Sequence, residues 1–539
     1  MKNKFAFILI LLSAFFIRIF SLNWDQGFHL HPDERMLIMV ADRINFFRNL
    51  NPDFFNYGSL PIYLLKGFSQ MIDFLFHKNL ANYAGMLLTG RSLAVFFDLI
   101  TICTIYKIGQ FLFKSNKIAL FSSLLYGIAF FPIQNSHFFV VDVLLNTFIT
   151  GLIYILLTYF KSPSMKKIFI ISLVFAAMMA TKFTSVIFYP IVIGVLVFKN
   201  LKKWRNLFFG LLIFHYSFFI FHFLFMPYAF IEYVKFISDI KAQVMMNSNP
   251  YVFPYTLQYV GTIPYLYYLK NIFLWGLGPI ITLLSIAGFL IVVKFSISNF
   301  QFSIKSKFLN IRFQILFFIF YFLYFLVIGR SSVKFMRYML PLYPFFAILA
   351  GFGLYKLYEA CKLLAYAFIA CALLWSFMFL NIYSFPHTRI SATDWILKNI
   401  PEGSTLAVEH WDDRVPTYGG EKYQYQELTL YDQPDDENKW EIIDQKLQKS
   451  DYIIIASNRL YVPLQKLTDC KKYKVCYLKT AEYYQKLFSN KLHFKKVAEF
   501  SSYPNFQFLN FKFQISDDSA DESFTVYDHP KILIFKKSE

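Results

Sequence analysis

The chain has 539 residues, of which 57% are hydrophobic, 21% are aromatic and only 16% are charged. Soluble domains carry about 25% charged residues, so this composition excludes an ordinary soluble protein and predicts a membrane protein. The net charge of +19 does not indicate nucleic-acid binding, because the first 388 residues hold 32 basic and 11 acidic residues and the remainder holds 21 and 23.

Eleven apolar runs approach the length that crosses a bilayer and predict about eleven transmembrane helices. They lie at about 5–22, 84–106, 118–134, 138–160, 168–181, 184–198, 206–226, 272–293, 313–328, 338–355 and 363–384. With the N-terminus inside, the inner segments are 1–4, 113–117, 161–167, 199–205, 294–312 and 356–362. These segments contain 17 Lys and Arg residues but one acid, Glu359. The positive-inside rule therefore predicts a cytoplasmic N-terminus.

The predicted transmembrane helices divide the chain into two domains. Residues 1–387 are predicted to form the transmembrane domain, with long outer loops at 23–83 and 227–271. Two amphipathic helices are expected in the first loop, divided at its Gly-Ser-Leu-Pro turn. An odd number of spans would place residues 388–539 outside.

The C-terminal region has the patterns of a water-soluble fold. "SATDWILKNIPEGSTLAVEHWDD" is typical of a helix, a turn and a strand, and "SDYIIIASN" of a buried strand. These patterns predict an extracytoplasmic α/β domain of about 150 residues, a size that can bury its own core. Cys470 and Cys476 lie in this domain, and the sequence leaves open whether they form a disulfide.

Ionisable residues collect near the predicted outer face. "HPDER" follows the first apolar run and contains Asp33 and Glu34. Ionisable groups at membrane depth are costly and often mark functional sites. The further candidates are Arg18, Arg91, His137, Asp142, Lys182, Lys334, Arg337 and Tyr338. Asp98 lies deeper and is expected to pair with a neighbouring helix.

A simpler interpretation exists for each of these residues. Pro32 could merely open a helix whose positive end Asp33 and Glu34 complement. The basic residues could extend their charges to the membrane interface. Against this, a group of acids and bases drawn from several outer loops suits one chemistry, transfer from a lipid-linked phosphate. Lys and Arg would hold the phosphate, a carboxylate would deprotonate an acceptor hydroxyl, and an apolar groove would take the lipid tail.

The chain resembles a known family in an ordered set of motifs that covers almost its whole length. These are "HPDE", "FNYGSLPIYLL", "QNSHFFVVD", "ATKFTS", "PYTLQYVGTIPYLYYLKNIFLWGLGP", "KFMRYMLPLYP" and "FTVYDHPKILIF". It is similar to the C-type integral-membrane glycosyltransferases, specifically the protein-O-mannosyltransferase-like and aminoarabinose-transferase-like branch. The resemblance implies a polytopic α-helical fold and inverting transfer of a sugar from a polyprenyl-phosphate donor to an extracytoplasmic acceptor.

The resemblance also implies roles for the candidate residues. Asp33 would be the general base with Glu34 as its partner, and Asp142 would be the acid of the second outer loop. Contacts to the donor phosphate or sugar would come from Arg91, Lys182, Lys334, Arg337 and Tyr338.

The expected partners are a polyprenyl-phosphate sugar, a lipid, glycan or protein acceptor, and the plasma membrane, which the chain crosses several times. No metal-binding pattern is found, although related oligosaccharyl enzymes use a divalent cation, which Asp33, Glu34 and Asp142 could hold. Two other functions stay open: a lipid-linked sugar flippase or transporter, and a non-catalytic subunit of a membrane assembly.

Overall fold

The computed structural model describes residues 2–301, 311–508 and 511–538. They divide into two compact units. The first consists of Met1–Leu22, His31–Met245 and Ile263–Phe377, and the second of Asn23–Leu30, Met246–Thr262 and Met378–Glu539. The predicted boundary after residue 387 and the two predicted outer loops stay predictions. Lys305 and Lys307 of the predicted inner segment 294–312 lie outside the described residues.

The first unit is helical. Its α-helices are, in chain order, α1 (Lys2–Ile19), α2 (Pro32–Arg43), α3 (Leu60–Phe76), α4 (Gly85–Phe113), α5 (Asn116–Gly127), α6 (Phe130–Ser136), α7 (Val141–Lys161), α8 (Met165–Met179), α9 (Tyr189–Asn200), α10 (Trp204–Phe225), α11 (Tyr228–Ile231), α12 (Tyr233–Ser248), α13 (Leu266–Asn271), α14 (Gly278–Gln301), α15 (Ile311–Ile328), α16 (Tyr343–Ala360) and α17 (Lys362–Leu380). Short 3₁₀ helices precede α9 (Phe183–Phe188) and α16 (Met336–Leu342), and one π-helical turn (Ile272–Gly276) precedes α14.

Each predicted apolar run overlaps a helix. Within the described residues, six helical stretches are long and apolar enough to cross a membrane: Gly85–Phe113, Val141–Lys161, Phe183–Asn200, Trp204–Phe225, Met336–Ala360 and Lys362–Asn399. The pair α5 and α6, bent by 59°, would add a seventh. The chain is therefore a helical protein with several apolar helices suited to a membrane, and the count of eleven spans stays a prediction.

A buried polar network joins four helices of the first unit. Arg18 of α1 donates from Nε to Asp98 of α4 at 2.6 Å and from NH1 to the carbonyl of Gly127 at 2.9 Å. Tyr126 of α5 donates to the other oxygen of Asp98 at 2.6 Å, and Asn146 of α7 donates to the Tyr126 hydroxyl. The expectation that Asp98 pairs with a neighbouring helix is confirmed.

The second unit contains a five-stranded sheet in the order β2-β1-β3-β7-β4. Its strands are β1 (Thr405–Glu409), β2 (Gln424–Leu428), β3 (Tyr452–Ile455), β4 (Phe494–Phe500) and β7 (Ile532–Lys537), and β5 (Asn505–Phe508) pairs separately with β6 (Phe511–Gln514). The strand β1 runs parallel to β2 and β3, whereas β7 is antiparallel to β3 and β4. The α-helices are α18 (Thr388–Asn399), α19 (Glu437–Gln448), α20 (Tyr461–Lys466), α21 (Leu478–Phe488) and α22 (Glu522–Thr525).

The sheet has a core on each face, as its sequence pattern predicts. Ile453 and Ile455 of β3 lie in one cluster, and Ile454 lies in the other, because successive side chains of a strand point to opposite faces. The predicted helix, turn and strand at the start of this region are present as α18 and β1. Cys470 and Cys476, whose pairing the sequence left open, form a disulfide.

Candidate active site

The two adjacent acids of "HPDER" have different surroundings. The helix α2 begins at Pro32, and the His31 side chain accepts from the Glu34 backbone N–H at 3.4 Å. The predicted helix start is therefore confirmed. Consecutive helical residues point about 100° apart, so Asp33 and Glu34 reach different neighbours.

Glu34 forms a fully buried ion pair with Arg91 of α4. Arg91 NH2 lies 2.8 Å from Glu34 Oε2, and its Nε lies 3.1 Å from Oε1. Arg91 NH1 also donates to the carbonyl of Leu22, and the Phe139 N–H donates to Glu34 Oε1, both at 2.8 Å. Gly90 permits this approach, because a Cβ there would come within 2.8 Å of the Phe139 side chain. The pair thus connects the starts of α2 and α7 to α4 and to the chain after α1.

Asp33 instead belongs to a partly exposed group of four charges. Arg337, in the 3₁₀ helix before α16, lies 2.9 Å from Asp33 through NH2 and 3.8 Å from Asp142 through Nε. Lys182 lies 2.8 Å from the other oxygen of Asp142. The Asp33 side chain is 25% exposed and that of Asp142 is 4% exposed. We call Asp33, Asp142, Lys182 and Arg337 the charge quartet.

Aromatic rings support the two cations of the charge quartet. The Lys182 ammonium lies 4.5 Å from the centre of the Tyr338 ring, and the Arg337 guanidinium lies 4.5 Å from that of Phe335. Such cation–π contacts stabilise a positive charge without neutralising it. The cations keep their capacity to bind an anion.

A turn between α2 and α3 adds Tyr57 to this group. The N–H groups of Gly58 and Leu60 donate to the carbonyls of Thr181 and Ala180, both at 3.0 Å. A Cβ at Gly58 would lie 1.9 Å from the Ala180 oxygen, so this turn requires glycine. It sets Tyr57 beside the chain that carries Lys182, where the Tyr57 hydroxyl donates to Asp33.

These neighbours determine the protonation of Asp33. Burial raises the pKa of its carboxyl, but the charge of Arg337, with further help from His31, Lys182 and the Tyr57 hydroxyl, outweighs burial and lowers that pKa below its ordinary value. Burial and the Asp33 charge raise the pKa of Tyr57 well above its usual range. Near neutral pH, Asp33 is therefore an ionised acceptor and Tyr57 a donor.

The structure brings most of the predicted site residues together but not all. Asp33, Asp142, Lys182, Arg337 and Tyr338 are in one place. The Lys334 side chain is buried in the turn three residues before Arg337 and donates from Nζ to the Ser332 carbonyl at 3.0 Å.

The remaining predicted residues lie in other contacts. Arg91 is held by Glu34, and Arg18 by Asp98. His137 has its two ring nitrogens 2.9 Å from the carbonyls of Ile133 and Phe20. Tyr57 was not predicted as a site residue, although the "NYGSLP" turn that carries it was recognised.

The three acids proposed for a divalent cation do not converge. Glu34 is occupied by Arg91, and Asp33 and Asp142 meet at Arg337. Within residues 2–301, 311–508 and 511–538, no group of three or more His, Cys, Asp or Glu side chains is placed to hold a metal ion. A cation at this place would have to displace Arg337, so the residues do not fit one and no chemical step is assigned to a metal.

An apolar cavity of about 540 Å³ lies among α13 to α16. Its lining consists mainly of aromatic and aliphatic side chains: Leu269, Phe273, Ser285, Ile286, Phe289, Phe318, Ile319, Tyr321, Phe322, Phe325, Leu342, Phe345, Phe346 and Leu349. Leu342 ends the same 3₁₀ helix that carries Arg337. Arg337 and one residue of the cavity lining thus lie on the same short 3₁₀ helix.

Comparisons with known proteins agree with the predicted family resemblance. The family described as dolichyl-phosphate-mannose-protein mannosyltransferase matches residues 72–230, a range that includes Arg91, Asp142 and Lys182. No curated protein sequence matches the chain. The resemblance to the C-type integral-membrane glycosyltransferases is confirmed.

Solved structures resemble the whole chain at low sequence identity. The archaeal oligosaccharyltransferase AglB from Archaeoglobus fulgidus, in complex with an inhibitory peptide and a dolichol-phosphate, is 11% identical with a TM-score of 0.51, over 96% of this chain and 74% of that chain. The apo form of the oligosaccharyltransferase from the same organism is 11% identical with a TM-score of 0.50, over 96% and 75%. ArnT from Cupriavidus metallidurans, bound to undecaprenyl phosphate, is 12% identical with a TM-score of 0.48, over 85% and 94%. The two oligosaccharyltransferase structures show a similar fold.

The different surroundings of the two acids predict different costs of neutralising them. Glu34→Gln leaves Arg91 as an uncompensated buried charge, so we expect a loss of about 3–5 kcal/mol in stability. Asp33→Asn leaves a partly exposed site in which Lys182 and Asp142 remain paired, so we expect a change below about 1 kcal/mol. Thermal unfolding of the two detergent-solubilised variants measures both changes in stability. Equal loss in the two variants would contradict the assignment of Glu34 as the structural acid.

Proposed function

We propose that this protein is a membrane glycosyltransferase that transfers a sugar from a polyprenyl-phosphate donor to an extracytoplasmic acceptor with inversion. The observation that carries the proposal is the charge quartet, whose Arg337 shares a 3₁₀ helix with Leu342 of an apolar cavity. Two cations suit a phosphate, the cavity suits a lipid tail, and an ionised carboxylate suits proton abstraction. The family match supports the same reaction class.

Donor binding would change the partners of Arg337. In the structure this guanidinium is paired with two carboxylates, Asp33 and Asp142. A donor phosphate that accepts hydrogen bonds from Arg337 and Lys182 would draw them away from Asp33 and Asp142. Because Arg337 lowers the pKa of Asp33, its withdrawal would raise that pKa and make Asp33 a stronger base. The base would thus be activated only when donor is present.

The transfer step then follows from these positions. Asp33 accepts the proton of an acceptor hydroxyl, whose oxygen attacks the anomeric carbon of the sugar. The bond from that carbon to the phosphate oxygen breaks, and the polyprenyl phosphate leaves with the bonding electron pair. Arg337 and Lys182 stabilise the charge on the departing phosphate. A single displacement of this kind inverts the anomeric configuration.

Glu34 and Arg91 have a positioning role in this proposal. Their pair is closed on all sides by α2, α4 and the backbone at Leu22 and Phe139, and it fixes the turn that carries Asp33. We assign Asp142 to holding Lys182 and Arg337, and Tyr338 to supporting Lys182 with its ring. Lys334 lies in the same turn as Arg337 and is a further candidate for the donor phosphate.

The first test of this proposal uses Asp33→Asn. Asn keeps the shape and the acceptor for Tyr57 but cannot take the proton, so turnover should fall about 10²- to 10⁴-fold while the donor KM changes little. The assay incubates purified protein with polyprenyl-phosphate sugars and candidate lipid, glycan and peptide acceptors, and detects the product by mass spectrometry.

Asp53→Asn is the matched control for this test. Asp53 lies in the same predicted loop, and its side chain is 67% exposed. The turnover of the Asp53→Asn variant should therefore equal that of the parent. Parental turnover in well-folded Asp33→Asn would exclude Asp33 as the base. Donor movement without any glycosidic product would indicate a flippase instead.

The second test concerns the donor phosphate. Removing one charged partner of a hydrogen bond costs about 1.5–3 kcal/mol, so Arg337→Ala should raise the donor KM about 10- to 100-fold, and Lys334→Ala should raise it too. In addition, Arg337→Ala removes the charge that lowers the pKa of Asp33. The acidic limb of kcat/KM, which reports the free enzyme, should therefore move to higher pH in this variant.

Arg330→Ala provides a control for the loss of a positive charge, because Arg330 is exposed and lies seven residues before Arg337. It should leave the donor KM and the pH profile unchanged. If Arg337→Ala and Lys334→Ala also leave the donor KM and the pH profile unchanged, the turn that carries these two residues only anchors α16 at the membrane interface.

The third test concerns orientation in the plasma membrane. We propose a cytoplasmic N-terminus and an extracytoplasmic C-terminal region, from the 17-to-1 charge bias of the inner segments. After treatment of intact cells with a membrane-impermeant reductant, an impermeant maleimide should label Cys470 and Cys476. Cys361, which is exposed and falls in a predicted inner segment, should react only after permeabilisation. The opposite pattern would reverse the proposed topology.

A further inference from the structure

The carboxyl edge of the parallel strands in the second unit holds a cleft of about 860 Å³. In the sheet order β2-β1-β3, the strand β1 lies between the two strands that follow it in the chain. The connection after β1 therefore leads to one side of it, and β3 pairs on the other side. Open sheets with parallel strands bind ligands in the crevice beyond the carboxyl ends, where the strand order reverses. The cleft is lined by residues from the end of β1, the following loop and the edge strand β2.

A buried acid at the base of this cleft has one oxygen without a partner. Glu409 ends β1 and is 5% exposed. Its Oε1 accepts from the Tyr484 hydroxyl at 2.5 Å, but among the described residues nothing bonds Oε2. Burial raises the pKa of Glu409 to about 8. The raised pKa favours the protonated carboxyl group, whose O–H has no acceptor among the described residues.

An exposed aromatic ring, that of Trp411, lies in the lining of the cleft two residues after Glu409. Trp411 is 42% exposed, and its backbone is in the left-handed region, with φ of +78°. Its ring packs edge-on against Phe253 and Tyr431, at 6.3 Å from each. The ring is thus held in place while part of it stays open to solvent.

Polar groups in fixed positions complete the cleft. The Arg414 guanidinium lies 4.3 Å from the centre of the Tyr425 ring and 2.7 Å from Glu427 Oε1. His410 contacts the other oxygen of Glu427 at 3.2 Å. Asp412, also in the lining, is paired with Arg389 at 3.2 Å. The cleft has no surplus of positive charge that would select a phosphate or another anion.

We propose that this cleft binds a neutral saccharide, with Trp411 stacked on a sugar face and Glu409, Arg414 and Glu427 bonded to sugar hydroxyls. A flat ring, a carboxylic acid and a guanidinium–carboxylate pair match a ligand that has an apolar face and many hydroxyls. The site is distinct from the charge quartet, and the proposal does not depend on transferase activity.

The test measures saccharide binding to the full chain in lipid nanodiscs, because maltoside detergents carry a sugar themselves. The probes are cellohexaose, mannohexaose and N-acetylchitohexaose, with a Ser- and Thr-rich peptide as the competing class, and calorimetry or saturation-transfer NMR gives the affinity. At least one saccharide should bind saturably, and Trp411→Ala should weaken it about tenfold or more.

Two kinds of variant separate a ligand contact from a folding effect. Glu409→Gln keeps an acceptor for Tyr484 and a donor for the ligand, so its affinity should stay within about threefold of the parent, whereas Glu409→Met should lose binding. Phe513→Ala, at an exposed ring on β6, should bind like the parent. The proposal is overturned if no saccharide of the panel binds, if well-folded Trp411→Ala retains parental affinity, or if the peptide alone binds and requires Trp411.

Discussion

The buried ion pair between Glu34 and Arg91 is the contact on which the position of the candidate active site depends. A charge left alone in the interior costs several kcal/mol, so each side chain confines the other. Through the pair, the first turn of α2 is held against α4, the Leu22 carbonyl and the Phe139 N–H. The orientation of Asp33 follows from this restraint. Asp33 precedes Glu34 by one residue and therefore points to another side of α2.

The charge quartet is assembled from chain breaks rather than from the middles of helices. Asp33 and Asp142 lie in the first turns of α2 and α7, and Lys182 and Arg337 lie at or in short 3₁₀ helices. Helix ends leave backbone groups for other partners, and acidic side chains there are favoured by the helix dipole. The Gly58 turn uses two such carbonyls, at Ala180 and Thr181. The outcome is a site of balanced charge, in which the proposed donor phosphate would have to compete with carboxylates for Arg337.

Burial has a different effect on the buried acid of the second unit. In the first unit a guanidinium compensates the buried Glu34, whereas Glu409 bonds to the Tyr484 hydroxyl among the described residues and burial raises its pKa. A glutamate is therefore an acceptor for an arginine in one unit, and in the other it is the proposed donor to a ligand. The proposed chemistry follows this difference: a phosphate-linked donor at the charge quartet and a neutral saccharide at the sheet edge.

The sequence by itself determined the helical membrane class, the start of α2 at Pro32, the strands β1 and β3 and all four residues of the charge quartet. These depend on local patterns, since apolar periodicity and helix-start residues act within a few positions. It favoured Asp33 over Glu34 only through the family resemblance, did not identify Tyr57, and left the pairing of Cys470 and Cys476 open. It also gave no sign of the cleft at Glu409. Those features depend on contacts between distant segments, such as Glu34 and Arg91, which are 57 residues apart. Only the packing of the helices decides which of two adjacent carboxylates is buried against an arginine and which stays open for chemistry.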